Sequence, residues 1–344
     1  MHCLDYNDAK IARFTHSDCI KPWHREGVAL SEGAGLEAHL AIAAPFDVKD
    51  QPVYTKINGE EILIPSKKLI YKEQEGGSIN QLSVMGKDYT YAQPREIFSC
   101  LDDFLSKDVL RIETMASLRG GKSFFVCCSI TGDPLEIIPG DYMDNFLLMA
   151  DSYDGVLALT IAIVFIMAVC NNTMTAGLAS ALAKAKMRHT KNILGKNKVD
   201  AMMREIGIVK ENAEALKHFA QFLAMQKVGT RETSDFFKAM VFKGKTIPAD
   251  QKDWSPQQRR VYSELSFCNV EGPGQEIEGR RDTAWGLLNA VTGHNSWMAS
   301  DPVNPKAGYN SIDRTQYSVF GTGNDSNLLA ASLLASQYQY QLAA

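Results

Sequence analysis

Val156-Leu-Ala-Leu-Thr-Ile-Ala-Ile-Val-Phe-Ile-Met-Ala-Val-Cys170 is the most apolar stretch of this 344-residue chain. At about 15 residues it is shorter than the roughly 20 that a membrane-spanning helix needs. It is rich in Ile and Val, and it follows the turn signal Asp154-Gly155. Such a run favours a buried central strand, or a strand that turns into a helix.

The charge of the chain changes sign at this stretch. Residues 1–154 hold 15 Lys and Arg against 24 Asp and Glu, a net charge of −9, whereas residues 155–344 carry +5. No acidic residue lies between Asp154 and Asp200. The segment ends in what we call the basic cluster, which consists of Lys184, Lys186, Arg188, His189, Lys191, Lys196 and Lys198. This local positive charge predicts a surface for an anionic partner.

The composition is that of a soluble intracellular protein. With 45% hydrophobic and 22% charged residues the chain can bury a substantial core. The seven Cys are odd in number and include no C-x-x-C pair, so we expect reduced thiols and no zinc site. The first residues are polar and do not resemble a signal peptide. We therefore expect a cytoplasmic protein without membrane contact.

The first half of the chain predicts antiparallel hairpins. Asn58-Gly59 separates Val53–Ile57 from Glu60–Ile64 and has the residues of a type I′ turn. A second hairpin is expected from Leu69–Tyr71 to Leu82–Val84. A helix should begin at Pro94, and a third hairpin should turn at Arg119-Gly-Gly-Lys122.

The remainder of the chain predicts helices. A helix rich in small residues is expected to follow the apolar strand, from roughly Thr173 to Met187, and further helices are expected at 199–227, 232–242, 255–268 and 282–292. We predict an α+β fold in which N-terminal antiparallel β-hairpins and a β-β-β-α core precede a helical C-terminal half. The predicted regions are an irregular segment (1–50), a β-rich α+β core (51–198), a helical region packed on or beside it (199–323) and a tail (324–344). The tail is expected to be a weak helix or disordered.

The chain contains no motif of an enzyme. Gly120-Gly121-Lys122-Ser123 lacks the upstream Gly of a P-loop and lies between two strands, which favours a hairpin tip. The seven His show no metal-binding spacing, and Asp102-Asp103 fits the solvated face of a helix. We expect no catalytic residues, no metal and no cofactor, and a non-enzymatic role is favoured.

The basic cluster is the pattern that suggests a function. Lys and Arg beside amide and hydroxyl side chains are typical phosphate contacts. Asn171, Asn172 and Thr173 are expected to cap the helix after the apolar strand and to donate to a phosphate at its N-terminus. The alternative is a solvated helix end, because cations favour the negative end of the helix dipole. Few aromatic residues lie near the cluster, so base stacking has to come from elsewhere in the fold.

Seven stretches resemble the phage and plasmid family built on domain of unknown function 932. They are Pro22-Trp23-His24 with Gly27, Leu82–Tyr89, Phe146–Gly155, Val169–Thr173, Arg188–Thr190, Thr283–Thr292 and Phe320–Gly323. The family usually has Gln at the position of Asn171 and Leu at that of Met174. The resemblance implies a mobile-element origin, among replication and recombination genes.

The order helix, long hairpin, strand, helix over residues 94–187 is similar to Rad-fifty-two-type single-strand annealing proteins. That similarity implies a ring or filament of identical subunits whose basic groove holds single-stranded DNA without nucleotide hydrolysis. We therefore expect a phage-encoded, ATP-independent annealing or recombination protein that binds single-stranded DNA and itself. The alternatives are a non-enzymatic structural or host-interaction (anti-defence) protein and, third, a metal-dependent nuclease.

Overall fold

The computed structural model describes residues 4–18, 26–73, 77, 79–167, 173–175, 184–187, 209–298 and 322–341. The strands, in chain order, are β1 Phe14–Ser17, β2 Val28–Leu30, β3 Val48–Ile57, β4 Glu60–Glu73, β5 Ile79–Gly86, β6 Leu110–Leu118, β7 Ser123–Ile130, β8 Leu135–Ile138, β9 Asp141–Ser152, β10 Leu159–Met167, β11 Thr173–Thr175 and β12 Lys184–Met187. The α-helices are α1 Leu36–Ala43, α2 Pro94–Phe98, α3 Asp102–Ser106, α4 Val209–Met225, α5 Thr230–Phe242, α6 Pro256–Glu271, α7 Ala284–Gly293 and α8 Thr322–Gln337.

The strands form two sheets. The large sheet has the order β11-β10-β9-β7-β6-β1-β2, with β12 beside β10 and β8 beside β9. Its pairs are antiparallel except for the parallel pair of β1 and β2. The small sheet has the order β3-β4-β5 and is antiparallel. The predicted α+β class, with antiparallel strands first and helices mainly in the C-terminal half, is confirmed.

The three predicted hairpins are present. At the first turn Asn58 has φ 52° and Gly59 has φ 90°, as a type I′ turn requires. β4 pairs with β5, so Leu69 lies opposite Val84. β6 pairs with β7 around a tip at which Gly120 and Gly121 have φ of 71° and 87°. The Gly-Gly-Lys sequence is therefore a turn, as predicted, and not a phosphate-binding loop.

The apolar stretch forms β10, which is a buried strand as predicted. It pairs along one edge with β9, while β12 and β11 share its other edge. Because β12 and β11 are strands, the predicted helix from Thr173 to Met187 is wrong at both ends. The backbone groups on the second edge of a buried strand need hydrogen-bond partners, and these two short strands supply them. The last element of the predicted β-β-β-α order therefore has strands at its two described ends, and residues 176–183 lie outside the described part of the chain.

β8 and β9 are strands that the sequence patterns did not predict. β9 is a long inner strand of the large sheet, and it carries Asp141, Asp144, Asn145 and Asp151 among its apolar residues. These polar residues hide the alternation by which a strand is recognised. The partners of Asp141, which are Arg280 and Trp285, lie far away in the sequence, so its place at the start of a strand becomes evident only in the folded protein.

The helical half packs on one face of the large sheet. One hydrophobic cluster includes Leu147 and Met149 of β9 together with Leu216, Phe219 and Trp285 of α4 and α7. The helices predicted in this half are present as α4 to α7 within the described residues, and residues 199–208 of the first predicted helix lie outside them. The tail is helical to Gln337, and α8 buries Ala330, Ala331, Leu334 and Ala335 in the same cluster. No helix within the described ranges has the length and apolarity required to span a membrane.

A buried ion pair joins the sheet to the helices. Asp141 begins β9, and its Oδ2 accepts hydrogen bonds from Arg280 Nε and from Trp285 Nε1, each at 2.9 Å. Arg280 also pairs with Oδ1, and neither charged side chain is exposed. A buried charge is tolerated when it is paired in this way.

A second buried ion pair joins the two sheets. Lys72 of β4 pairs with Asp5, and its Nζ lies 4.5 Å from the centre of the Phe46 ring. Burial lowers the pKa of Lys72, although the Asp5 carboxylate opposes that shift. Ser83 adds a 2.6 Å hydrogen bond from the small sheet to the carbonyl of Tyr153. The base of the small sheet is thus fixed against the large one.

Candidate nucleic-acid interface

The structure places three of the predicted binding residues. Lys184 and Lys186 lie in β12, and Thr173 lies in β11. The other predicted residues lie outside the described part of the chain, namely Asn171, Asn172, Arg188, His189, Lys191, Lys196 and Lys198. The predicted helix-capping role is wrong for Thr173, because this residue belongs to a strand.

The two lysines occupy the edge of the large sheet. In the antiparallel ladder Lys186 lies opposite Thr160, and Lys184 lies opposite Ala162. Positions that face each other in such a ladder are on the same side of the sheet, so each lysine heads a row that runs across the strands. The ladder therefore shows which residues on strands farther into the sheet lie on the same side as the two lysine positions.

Three rows define a surface that we call the outer face of the large sheet. The first row is Lys186, Thr160, Ala150, Phe125, Ala116 and Phe14. The second row is Lys184, Ala162, Leu148, Cys127, Thr114 and His16. A third, shorter row is Thr175, Val164, Phe146 and Ser129.

The outer face is opposite the helices. Side chains that alternate with its members, such as Leu147, Met149 and Ile161, belong to the main core. On the outer face Leu148 and Val164 form a separate small cluster with Phe125, Cys127 and Phe146. The helical half therefore covers one side of the sheet and leaves this cluster on the other.

Two aromatic residues, Phe125 and Phe146, lie on the outer face, although few aromatic residues are near the basic cluster in the sequence. Both rings are half-buried. Neighbouring strands lie about 4.8 Å apart, so Phe146 on β9 is roughly 10 Å from β12 and Phe125 on β7 is roughly 14 Å from it. The tertiary structure thus brings aromatic rings onto the side of the sheet that bears the lysine positions.

A model of the family described as Domain of unknown function (DUF932) matches residues 81–301, which is more than half of the chain. The chain belongs to this family. The DUF932 region begins in β5 and includes β6 to β12 and α4 to α7, so Phe125, Phe146, Lys184 and Lys186 all lie within it. No curated protein and no solved structure matches the chain.

Within the DUF932 region the outer face also carries two carboxylates. Ser129 Oγ donates a 2.6 Å hydrogen bond to Glu113, at the bulge of β6. Asp144 lies two residues before Phe146 on the same side of β9, and burial raises the pKa of its carboxyl group. Both carboxylates lie beside the third row, and a carboxylate repels phosphate.

The hairpin tip of the DUF932 region does not offer a free arginine. Arg119 Nη1 lies 2.9 Å from Asp154, and its Nε donates to Ser123 Oγ at 3.2 Å. The carbonyl of Gly120 accepts a 3.0 Å hydrogen bond from Asn80 of the small sheet. These contacts assign a structural role to Arg119 and to the tip.

Two further ion pairs of titratable groups lie outside the outer face. His294 Nε2 lies 2.9 Å from Glu264, and Lys107 pairs with the exposed Asp103 at 2.7 Å. Burial raises the pKa of the Cys127 thiol to about 12, so this group stays protonated and uncharged near neutral pH. Among the described residues, no group of three or more His, Cys, Asp and Glu is placed to hold a metal ion.

Sequence reasoning missed Phe125 and Phe146. A signal for the first was available in the adjacent pair Phe124-Phe125, because neighbouring residues of a strand point to opposite faces. Phe124 is buried in the main core, so Phe125 has to face the other way. Phe146 had no such signal, because β9 was not recognised as a strand.

Proposed function

We propose that this protein binds single-stranded nucleic acid along the outer face of the large sheet. The observation that supports this proposal is the set of cross-strand rows. The position of Lys186 shares a row with Phe125, and Phe146 lies in the row next to that of Lys184. Cations that follow the phosphate backbone and aromatic rings that stack on bases are the two components of single-strand binding.

In this mechanism the lysines of β12 neutralise phosphates and release counterions. The rest of the basic cluster follows directly in the sequence and extends the positive charge. Phe125 and Phe146 offer their ring faces to the bases, and each stacked base contributes about 1–3 kcal/mol. Binding of this kind is independent of sequence and weakens steeply as salt is added.

The most specific form of the proposal is ATP-independent annealing of single-stranded DNA by a self-associating protein of a phage or related mobile element. The absence of a nucleotide-binding motif from the sequence agrees with it. The outer face supports the proposal independently of a β-β-β-α core, whose predicted helix has strands at both ends.

A binding titration tests the first step. A fluorescently labelled oligonucleotide is titrated with the full chain at low and at moderate salt, and then with Lys184→Ala/Lys186→Ala. Loss of two phosphate contacts should weaken binding at low salt and make the salt dependence less steep. The matched control is Lys245→Ala/Lys252→Ala, which removes the same charge from exposed positions in the helical half. Equal weakening by both variants, or no binding by the wild type, contradicts the proposal.

A second variant tests the aromatic contribution. Phe146→Leu keeps an apolar side chain of similar size and removes the ring face. It should weaken binding without reducing the salt slope, because no phosphate contact is lost. Annealing itself is measured with two complementary labelled strands in the absence of nucleotide. Binding that does not accelerate pairing would restrict the function to protection of single strands.

One observation favours the alternative function of a structural or host-interaction protein. The distal part of the small sheet exposes several large apolar side chains, which is a property of protein-binding surfaces. A protein that fails to bind oligonucleotides at low salt would support this alternative. Magnesium-dependent degradation of the oligonucleotide would instead support a nuclease.

A further inference from the structure

Glu113 is a carboxylate of the outer face whose position is fixed by the backbone and by a hydrogen bond. The register of β6 against β7 shifts between Ile112 and Thr114, so Glu113 is the extra residue of a β-bulge. A bulge aims its side chain away from the regular alternation of the strand. Here Glu113 reaches β7, where Ser129 Oγ donates to its Oε1 at 2.6 Å. The carboxylate is therefore half-buried and held beside Ser129.

The Phe146 ring is the direct neighbour of this carboxylate across the strands. Ser129 lies opposite Phe146 in the ladder of β7 and β9. The Cβ atoms of such a pair are about 4.5–5.5 Å apart. Glu113 is thus placed at the side of the Phe146 ring, within reach of the edge of a planar group that stacks on it.

The surroundings of Phe146 suit a base better than a phosphate. The lysine positions head the first and second rows of the outer face, whereas Phe146 and Ser129 belong to the third row. A carboxylate repels phosphate but does not repel an uncharged base. It only accepts hydrogen bonds, and Ser129 uses one of its roughly four acceptor positions. The remaining positions of Glu113 are complementary to a donor.

The bases differ in the donors that they offer. Cytosine and adenine carry an exocyclic amino group, and a Glu that accepts from the amino group of cytosine is a common base contact. Thymine and uracil have carbonyl oxygens on both sides of their single N–H group, and these oxygens repel a carboxylate. The edges of unpaired bases in a single strand are open to such contacts.

We propose that Glu113 accepts a hydrogen bond from the exocyclic amino group of the base that stacks on Phe146, so that the outer face prefers cytosine and adenine to thymine and uracil. This inference rests on the proposed binding of single strands along the outer face. It adds a base preference at one position to binding that is otherwise independent of sequence. Ser129 is a positioning residue in this contact, because it acts through Glu113.

Fluorescence anisotropy with two labelled oligonucleotides tests the preference. Oligo-deoxycytidine and oligo-deoxyuridine of equal length have the same backbone and the same ring shape, and they differ at the base edge. Each is titrated with the full chain at one low salt concentration and at a slightly alkaline pH, at which cytosine is uncharged. The ratio of the two dissociation constants removes the general attraction of phosphates. The wild type should bind oligo-deoxycytidine at least about fivefold more tightly, which is the lower end of the discrimination by a base-edge contact.

Three variants assign the preference to Glu113. Glu113→Gln keeps the size and an oxygen that accepts from Ser129, but it adds N–H donors that suit uracil, so the ratio should fall towards one. Ser129→Ala keeps every charge and removes the group that orients Glu113, so it should also lower the ratio. The matched control is Asp144→Asn, which removes one charge from the adjacent row, where Asp144 lies opposite Ile166. It should strengthen binding to both oligonucleotides and leave the ratio unchanged.

The outcomes separate this inference from the proposed function. Equal affinity of the wild type for the two oligonucleotides overturns the inference and leaves single-strand binding intact. An unchanged ratio in Glu113→Gln, or an equal fall in Asp144→Asn, also overturns it, because the preference then has another origin. A wild type that binds neither oligonucleotide overturns the proposed function and the inference with it. Circular dichroism of each variant checks that a lower ratio does not arise from unfolding.

Discussion

The large and the small sheet contain similar hairpins, yet the β6–β7 hairpin of the large sheet has no exposed residue in its strands, whereas the β3–β4 hairpin is largely exposed. The turns of both contain residues with positive φ, at Asn58-Gly59 in the small sheet and at Gly120-Gly121 in the large one. Around the second turn β6 and β7 belong to the main core, whereas the strands that meet at the first turn are exposed.

β4 contains this difference within a single strand. Ile70 and Lys72 are fully buried, whereas Ile62 is 43% exposed. The buried end contacts the large sheet through the ion pair of Lys72 and Asp5. The exposed end, residues 60–64, pairs only with residues 53–57 of β3. The comparison teaches that a hairpin sequence determines a turn and a pairing but not the surroundings of the strands.

The largest expected effect is at the ion pair that ties the large sheet to the helices. Asp141→Asn removes the charged partner of the buried Arg280 side chain, so it should lower the free energy of unfolding by about 3–5 kcal/mol. Asp103→Asn, which removes an exposed partner of Lys107, should cost less than about 1 kcal/mol. Urea denaturation of both variants measures the difference. Equal costs would mean that the pair with Arg280 is solvated.

The difference in burial between the two ends of β4 can be measured with the same substitution, Ile to Ala, at each end. Ile70→Ala removes side-chain volume from the core and should cost about 2–5 kcal/mol. Ile62→Ala removes the same atoms from the exposed end of β4 and should cost less than about 1 kcal/mol in the monomer. Thermal unfolding at a low protein concentration keeps self-association out of the measurement. A large loss of stability in Ile62→Ala would show that the exposed end of β4 is buried in solution.

The pH dependence of the free energy of unfolding tests how His39 of α1 packs against β1. His39 lies against Thr15, with Nδ1 2.8 Å from Oγ1, and burial lowers its pKa to about 4. The unfolded chain titrates near 6.5, so it binds more protons than the folded chain between these values. Stability should be fully present above pH 6.5 and fall by about 3 kcal/mol as the pH is lowered to 4.

His39→Gln serves as the control for this titration, because it keeps a polar side chain and removes the ionisable ring. The fall in stability over that pH range should be smaller in the variant by about the same amount. Chemical denaturation at several pH values gives both curves. Parallel curves would assign the acid sensitivity to other groups.

The smallest effect compares the two turns directly. A Cβ at Gly59 would meet no atom within 4 Å, whereas at Gly121 it would lie 2.7 Å from Lys72 Nζ. Ala at either position is strained by the positive φ, at about 1–2 kcal/mol. Gly121→Ala should therefore cost roughly 1–3 kcal/mol more than Gly59→Ala, because it also disturbs a buried ion pair. Denaturation midpoints of the two variants provide the test.

The candidate site was only partly predictable. The basic cluster follows from composition alone, since six Lys and Arg between Lys184 and Lys198 are uninterrupted by an acid. The position of Lys184 and Lys186 on a sheet edge does not follow from it, because the same residues also suit a helix end. Phe146 was missed because the polar residues of β9 obscure its alternation.

The sequence by itself determined the local elements of this protein. Asn-Gly and Gly-Gly supply the φ angles of the hairpin turns, the Ile- and Val-rich run becomes β10, and helical periodicity predicts α4 to α7. The tertiary structure alone decided which contacts these elements make. Asp141 finds Arg280 across 139 residues, and the open edge of β10 draws β11 and β12 into the sheet. Turns and periodicity depend on neighbouring residues, whereas burial and edge pairing depend on distant ones.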